Sequence, residues 1–219
     1  MDEKPFHIAG PGKRWPIVLV EPQSYQNVFW SQLLIVYSCV AVEKILVDEH
    51  WNAQAYTNDF AMLILKEPLE FSGHVSPVCL PTNPTPDNPD KCFVTGWGLT
   101  DRYGDDEGAL FISHALLQAA VKILSDDACR EMMHNFDGDS MICAEGYDGV
   151  HERAGQQAPC TGDSGGPLVC QQNDGSFQLF GIVSFAVGEC GTMPNGYARV
   201  TKFVGAIKAA VERTELIEE

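Results

Sequence analysis

Gly162-Asp163-Ser164-Gly165-Gly166-Pro167-Leu168-Val169-Cys170 is the stretch on which the reading of this chain turns. A serine that attacks a carbonyl needs a base beside it and main-chain N–H donors aimed at the oxyanion. Glycines on either side let the substrate come close to the backbone. As a bare pattern the run also satisfies G-x-S-x-G, the strand-to-helix elbow whose triad continues serine, acid, histidine. No histidine follows Ser164, and Pro167 would break the helix that an elbow requires. The elbow is therefore excluded, and a serine nucleophile on a glycine-rich loop remains.

Around this loop, short runs rich in Val, Ile, Leu and Phe recur at Pro16 to Val20, Val42 to Val47, Phe60 to Leu65, Phe93 to Trp97, Ala120 to Leu124, Pro167 to Cys170 and Phe177 to Val187. Strands this short, at this spacing, predict an all-β sandwich or barrel. Four prolines between Pro81 and Asp90 forbid regular structure and mark a surface connection between two β lobes. Ser125 before Asp126 and Asp127 predicts a capped short helix through Ala128 to Met133. Phe203, Ile207, Ala210 and Val211 repeat at helical spacing and predict a terminal helix docked by one face. The apolar stretch Val28 to Val42, about fifteen residues and too short to cross a bilayer, reads as buried strand.

The chain has 219 residues, 45% of them apolar, enough for a sizeable core. Its formal charge of −16 argues against nucleic acid and anionic membranes as partners. Eight cysteines without C-x-x-C pairs point to disulfides rather than zinc, and hence to an oxidising, secreted setting. No metal site and no cofactor are expected. Met1 to Trp15 hold no apolar core of secretory type, so the amino terminus reads as incomplete or altered.

Gly162 to Cys170 resembles the nucleophile loop of the chymotrypsin and trypsin family of serine proteases. Asn58-Asp59-Phe60-Ala61-Met62-Leu63 resembles its loop bearing the triad aspartate, and Cys92 to Gly98 its entry to a second barrel. Met141-Ile142-Cys143-Ala144, Gly181 to Phe185 and Tyr197-Ala198-Arg199-Val200 continue the likeness in order. It implies a two-lobed antiparallel Greek-key barrel fold in one domain over 1–219. That domain divides into a truncated first barrel (1–80), a connecting loop (81–92), a second barrel (93–200) and a C-terminal helix (201–219).

The resemblance also implies Asp59 and Ser164 as catalytic residues, and the N–H groups of Gly162 and Ser164 as the oxyanion hole. Ala158, Ser184, Phe185, Ala186 and Asn195 would bind substrate. The implied disulfides are Cys92–Cys170, Cys129–Cys143 and Cys160–Cys190, with Cys39 and Cys79 either paired with each other or free. A polypeptide substrate or a protein inhibitor is the implied partner.

The family's histidine motif, Thr-Ala-Ala-His-Cys, is absent. Upstream of Asp59 stand only His7 and His50, and neither has the motif around it. Trp15 to Val20 resembles the first core strand, which leaves too little chain before Val42 for the missing strands, roughly thirty residues. An Ile-Val-Gly-Gly amino terminus, whose ammonium would pair with Asp163, is absent too, so Asp163 is expected to turn elsewhere and misalign the donors of Gly162 and Ser164. Ala158 stands where trypsin-like members carry a carboxylate, and Ala186 and Asn195 where wall glycines are usual, so a small apolar side chain is the expected preference. Two readings follow: an endopeptidase whose histidine segment is missing from this sequence, or a non-catalytic relative that keeps the scaffold for binding.

Overall fold

The computed structural model describes residues 15–20, 32–35, 38–69, 71–72, 75–99, 115–147, 158–188 and 190–215, with side chains described from residue 40 onward to 213. Ten strands and two helices lie in these segments: β1 Trp15–Val20, β2 Gln32–Ile35, β3 Ser38–Val47, β4 Ala61–Leu69, β5 Cys92–Gly96, β6 Leu117–Ile123, α1 Asp126–Met132, β7 Met141–Gly146, β8 Pro167–Gln171, β9 Phe177–Ala186, β10 Asn195–Arg199 and α2 Val200–Glu215. The expected strand runs all fall on strands, with ends shifted by a few residues.

Strands β5 to β10 close an antiparallel barrel in the order β10-β7-β6-β5-β8-β9, sealed where β10 pairs with β9. Its interior is filled by Val94, Val121, Ile142, Leu168, Phe180, Val183 and Tyr197. The Cys92–Cys170 disulfide ties β5 to β8 at directly paired positions. Cys129–Cys143 fastens α1 to β7, and Cys160–Cys190 joins the loop before Ser164 to the turn before β10.

The first lobe is a four-stranded sheet of order β1-β4-β3-β2, open at β1 and β2 among the described residues. One expectation is corrected here. Val28 to Val42 does not form one strand, because Gln32–Ile35 of β2 pairs antiparallel with Ser38–Ala41 of β3. An apolar run broken only by Ser31, Gln32 and Ser38 has no period that marks its turn. Along β3, Leu46 packs on the core while Ile45 and Val47 stay partly exposed, the alternation expected of a half-covered sheet.

The lobes share one core. Phe60, Met62 and Leu80 from the first lobe meet Leu179, Ile182 and Ala198 from the second beneath Val200, Phe203, Ile207 and Ala210 of α2. The Phe60 and Phe203 rings stack at 4.2 Å. The 81–92 connection is strapped to the β8–β9 hairpin: Asp87 N donates to Gln172 Oε1, Asn173 N to Asp87 Oδ2, and Asn88 Nδ2 to Asn173 Oδ1. Ser125 caps α1 by accepting from Ala128 N.

Asp137 closes the turn before β7. Burial raises its pKa, but the Ser140 hydroxyl, the Asp139 N–H and the nearby Lys202 charge outweigh that and hold it below the usual value. A depressed carboxylate contributes stability above its unfolded pKa and loses it as pH falls through the folded one. Urea midpoints from pH 6 to pH 2 are therefore expected to fall less steeply for Asp137→Asn than for the parent chain.

Candidate active site

Asp59 sits at the end of a tight loop that leads into β4. Asn52 pairs with Thr57, and its side chain accepts from Gln54 N and Ala55 N. Tyr56 and Asn58 both adopt left-handed backbone, at φ 55° and 54°. Asparagine tolerates this region; tyrosine does so at a cost. The Asn58 amide donates to the His50 carbonyl, which holds the loop in place. Asp59 is only 1% exposed, and the Ser184 hydroxyl of β9 donates to its Oδ2. A carboxylate from the first lobe is thereby fastened to the second. The Tyr56 and Phe185 rings stack at 4.8 Å beside this bond. Phe185 in turn lies on Gly196, where an added Cβ would come within 2.3 Å of the ring.

Ser164 is exposed on a loop bent by Gly162 (φ 99°) and Gly165 (φ 80°). The loop hangs on β9 by two main-chain bonds: Gly165 N donates to Val183 O, and Val183 N to Gly166 O, each at 2.9 Å. Val183 adjoins Ser184, so the Ser164 loop and the Asp59 carboxylate meet on neighbouring residues of one strand. Ser184, assigned from sequence to the substrate wall, is thus also the partner of Asp59. Its polar side chain within the buried run of β9 was the available signal, because a buried hydroxyl needs a partner.

Asp163 turns inward. Its Oδ1 accepts from Gly98 N at 2.8 Å and its Oδ2 from Cys160 N at 2.9 Å. Beside it opens a cavity of about 280 Å³ lined by residues that include Gly96, Gly98, Leu99, Leu117 and Ala158. Burial, and next the Asp163 charge, push the Tyr197 phenol well above its ordinary pKa. A Cβ on Gly96 would fall 1.8 Å from Asp163 Oδ1. Gly96→Ala is therefore expected to evict the carboxylate from both donors and lower stability by about 2 kcal/mol, measured by denaturant unfolding.

Of the remaining sequence-predicted residues, Ala186 pairs across the barrel seam with Asn195, whose Nδ2 donates to the Pro159 carbonyl next to Ala158. His50 is 72% exposed, and its Nδ1 faces Asp48 at 3.4 Å rather than Asp59. His7 and the Cys39 side chain lie outside the described residues. Cys79 is buried, and its backbone bridges to Gln178. Among the described residues no group of three or more His, Cys, Asp or Glu side chains could hold a metal ion, and no helix is long and apolar enough to cross a membrane.

The family model for trypsin matches residues 37–207. Serine proteinase stubble of Drosophila melanogaster is 36% identical over 74% of this chain and 20% of its own length, so the chain spans a fifth of that relative. The closed barrel, the three disulfides and the docked terminal helix agree with the fold of such domains. With the match extending over both lobes, the chain belongs to the trypsin family of serine proteases.

Proposed function

We propose that this chain is a serine endopeptidase domain of secreted type whose chemistry is held in check by an incomplete site. Ser164 is its nucleophile and Asp59 its buried acid, and the N–H groups of Gly162 and Ser164 become the oxyanion donors once Asp163 leaves Gly98 N and Cys160 N for an ammonium. The observation that carries the reading is the Ser184–Asp59 hydrogen bond one residue from the strand position on which the Ser164 loop hangs. A scaffold used only for binding has no need of a buried carboxylate aimed beside a glycine-flanked serine. Family membership supports a polypeptide substrate or a protein inhibitor as partner. The three disulfides support an extracellular setting.

In a complete triad a histidine takes the serine proton while the aspartate fixes its tautomer. His50 is committed to the surface, and loss of one triad member leaves only ~10³–10⁴-fold acceleration over water. The Asp163 carboxylate, satisfied by Gly98 N and Cys160 N, supports a resting, zymogen-like loop that awaits an ammonium in the adjoining cavity. The whole of residues 1–219 acts as one domain in this reading, with a shortened first barrel, the 81–92 connection, the second barrel and the terminal helix.

Ala158, Ala186 and Asn195 give the groove a neutral, narrow pocket, so small apolar side chains are preferred. NMR titration of the folded chain with tetrapeptide acids tests this. Peptides ending in alanine or valine are expected to shift the amides of Ser184, Ala186 and Gly196. Tighter binding of peptides ending in lysine, arginine or phenylalanine would contradict it. The second reading, a non-catalytic binding module, is favoured by the position of His50 alone.

A further inference from the structure

We propose that the outer edge of β1 pairs with β1 of a second copy of this chain, antiparallel about a two-fold axis, so that the sheet of the first lobe continues into its partner. A closed barrel, such as the second lobe, leaves no strand edge. The first lobe is instead an open sheet of order β1-β4-β3-β2, and among the described residues no strand pairs with the outer edge of β1 or of β2. Each such edge presents a row of main-chain donors and acceptors, a template for another strand.

β1 is the better template of the two. β2 has four residues and pairs with β3 alone among the described residues, and short edge strands are poor templates. β1 has six, is hydrogen-bonded to β4 and lies against α2. Its register with β4 shifts between Trp15 and Ile17, then runs unbroken from Ile17 to Val20 opposite Ile64 to Ala61. Pro16, which lacks an N–H, therefore stands before the regular stretch, where an edge strand tolerates it.

Charge chooses the occupant. A formal charge of −16 sets any two copies against each other, so they meet best on an uncharged strand with opposite charges at its ends. No charged residue lies in Trp15–Val20, whereas Lys13 and Arg14 precede it in the sequence and Glu21 follows it. Two such strands laid antiparallel bring the basic end of each to the acidic end of the other; laid parallel, they would set like charges together. Residues directly opposite in a ladder share a sheet face, so the axis must pass through one residue. Through Ile17 it sets Trp15 opposite Leu19 of the second copy, and in the same register Lys13 falls opposite Glu21. Pairing β1 with β2 of another copy offers no such match, and its repetition would build an open filament rather than a closed dimer.

Analytical ultracentrifugation of the 219-residue chain is expected to show a dimer. Hydrogen exchange at those amides of Ile17 to Val20 that face away from β4 is expected to slow as concentration rises. Glu21→Lys makes both ends of the strand basic, and Lys13→Glu/Arg14→Glu makes both acidic. Each variant is expected to raise the dimer Kd about tenfold, and an equal mixture of the two to restore it. A monomeric parent chain overturns the proposal whether or not either variant folds, and so does concentration-dependent growth into larger species. A parent dimer in which the Ile17 to Val20 amides do not slow, or a mixture no tighter than either variant alone, would place the contact elsewhere and overturn it as well.

Discussion

A Cys92→Ala/Cys170→Ala double variant is expected to lose roughly 4–5 kcal/mol of stability. The two cysteines are 78 residues apart in sequence, and a cross-link of that span contributes about 4 kcal/mol by constraining the unfolded chain. Both side chains are fully buried in the barrel interior, so truncating them also leaves a small void between β5 and β8. For comparison, Cys129–Cys143 spans only 14 residues, for which the same argument gives about 3 kcal/mol. A domain with 5–15 kcal/mol in all, by the usual scale of roughly 0.05–0.15 per residue, would be left marginal by the first loss. Urea unfolding of both double variants under oxidising conditions checks the size and the order. A loss below about 1 kcal/mol for the Cys92–Cys170 pair would contradict the argument.

Phe60→Ala is expected to cost about 3–5 kcal/mol, the range for deleting a buried aromatic side chain. Phe60 is 2% exposed and lies nearly parallel to Phe203, with an interplanar angle of 5°. It is also the residue after Asp59, so it seats the acid as well as joining the first lobe to α2. The loss should therefore loosen the contact between lobes, not only the first lobe. A double-mutant cycle with Phe203→Leu is expected to return a coupling of about 1 kcal/mol, the scale of an aromatic pair beyond its area. Additivity of the two substitutions would show that the rings do not act together.

The second lobe was legible in the sequence because its markers are local and dense. Ser125 followed by two aspartates announces the cap of α1, and the spacing of Phe203, Ile207 and Ala210 announces the buried face of α2. Resemblance to a known family supplied all three disulfide pairings, which spacing could not have chosen among so many cysteines. The first lobe was harder. Residues 28–42 form an apolar run with no alternation, so the β2–β3 turn left no trace in it, and the pairing of β1 with β4 is a contact between distant segments.

At the site, sequence pointed to Asp59, Ser164 and Asn195 by position, but not to what each one touches. The Ser184 hydroxyl reaches Asp59 from 125 residues away, and the Asn195 amide reaches the Pro159 carbonyl from 36 residues away. Such bonds depend on strand register and on how the lobes dock. Neither is written in a motif. The inward turn of Asp163 was foreseen only as a need for some partner; Gly98 N and Cys160 N are that partner because Gly96 and Gly98, lacking side chains, leave room for the carboxylate.

Fluorophosphonate labelling of the folded chain, with the adduct located by mass spectrometry, tests the central claim most directly. With Asp59 seated but His50 turned to Asp48, and with Asp163 held by Gly98 and Cys160, Ser164 is expected to stay unlabelled under conditions that label a complete trypsin-family domain. A specific adduct on Ser164 would show that a histidine of this chain completes the site, and would contradict the account of a protease held in check.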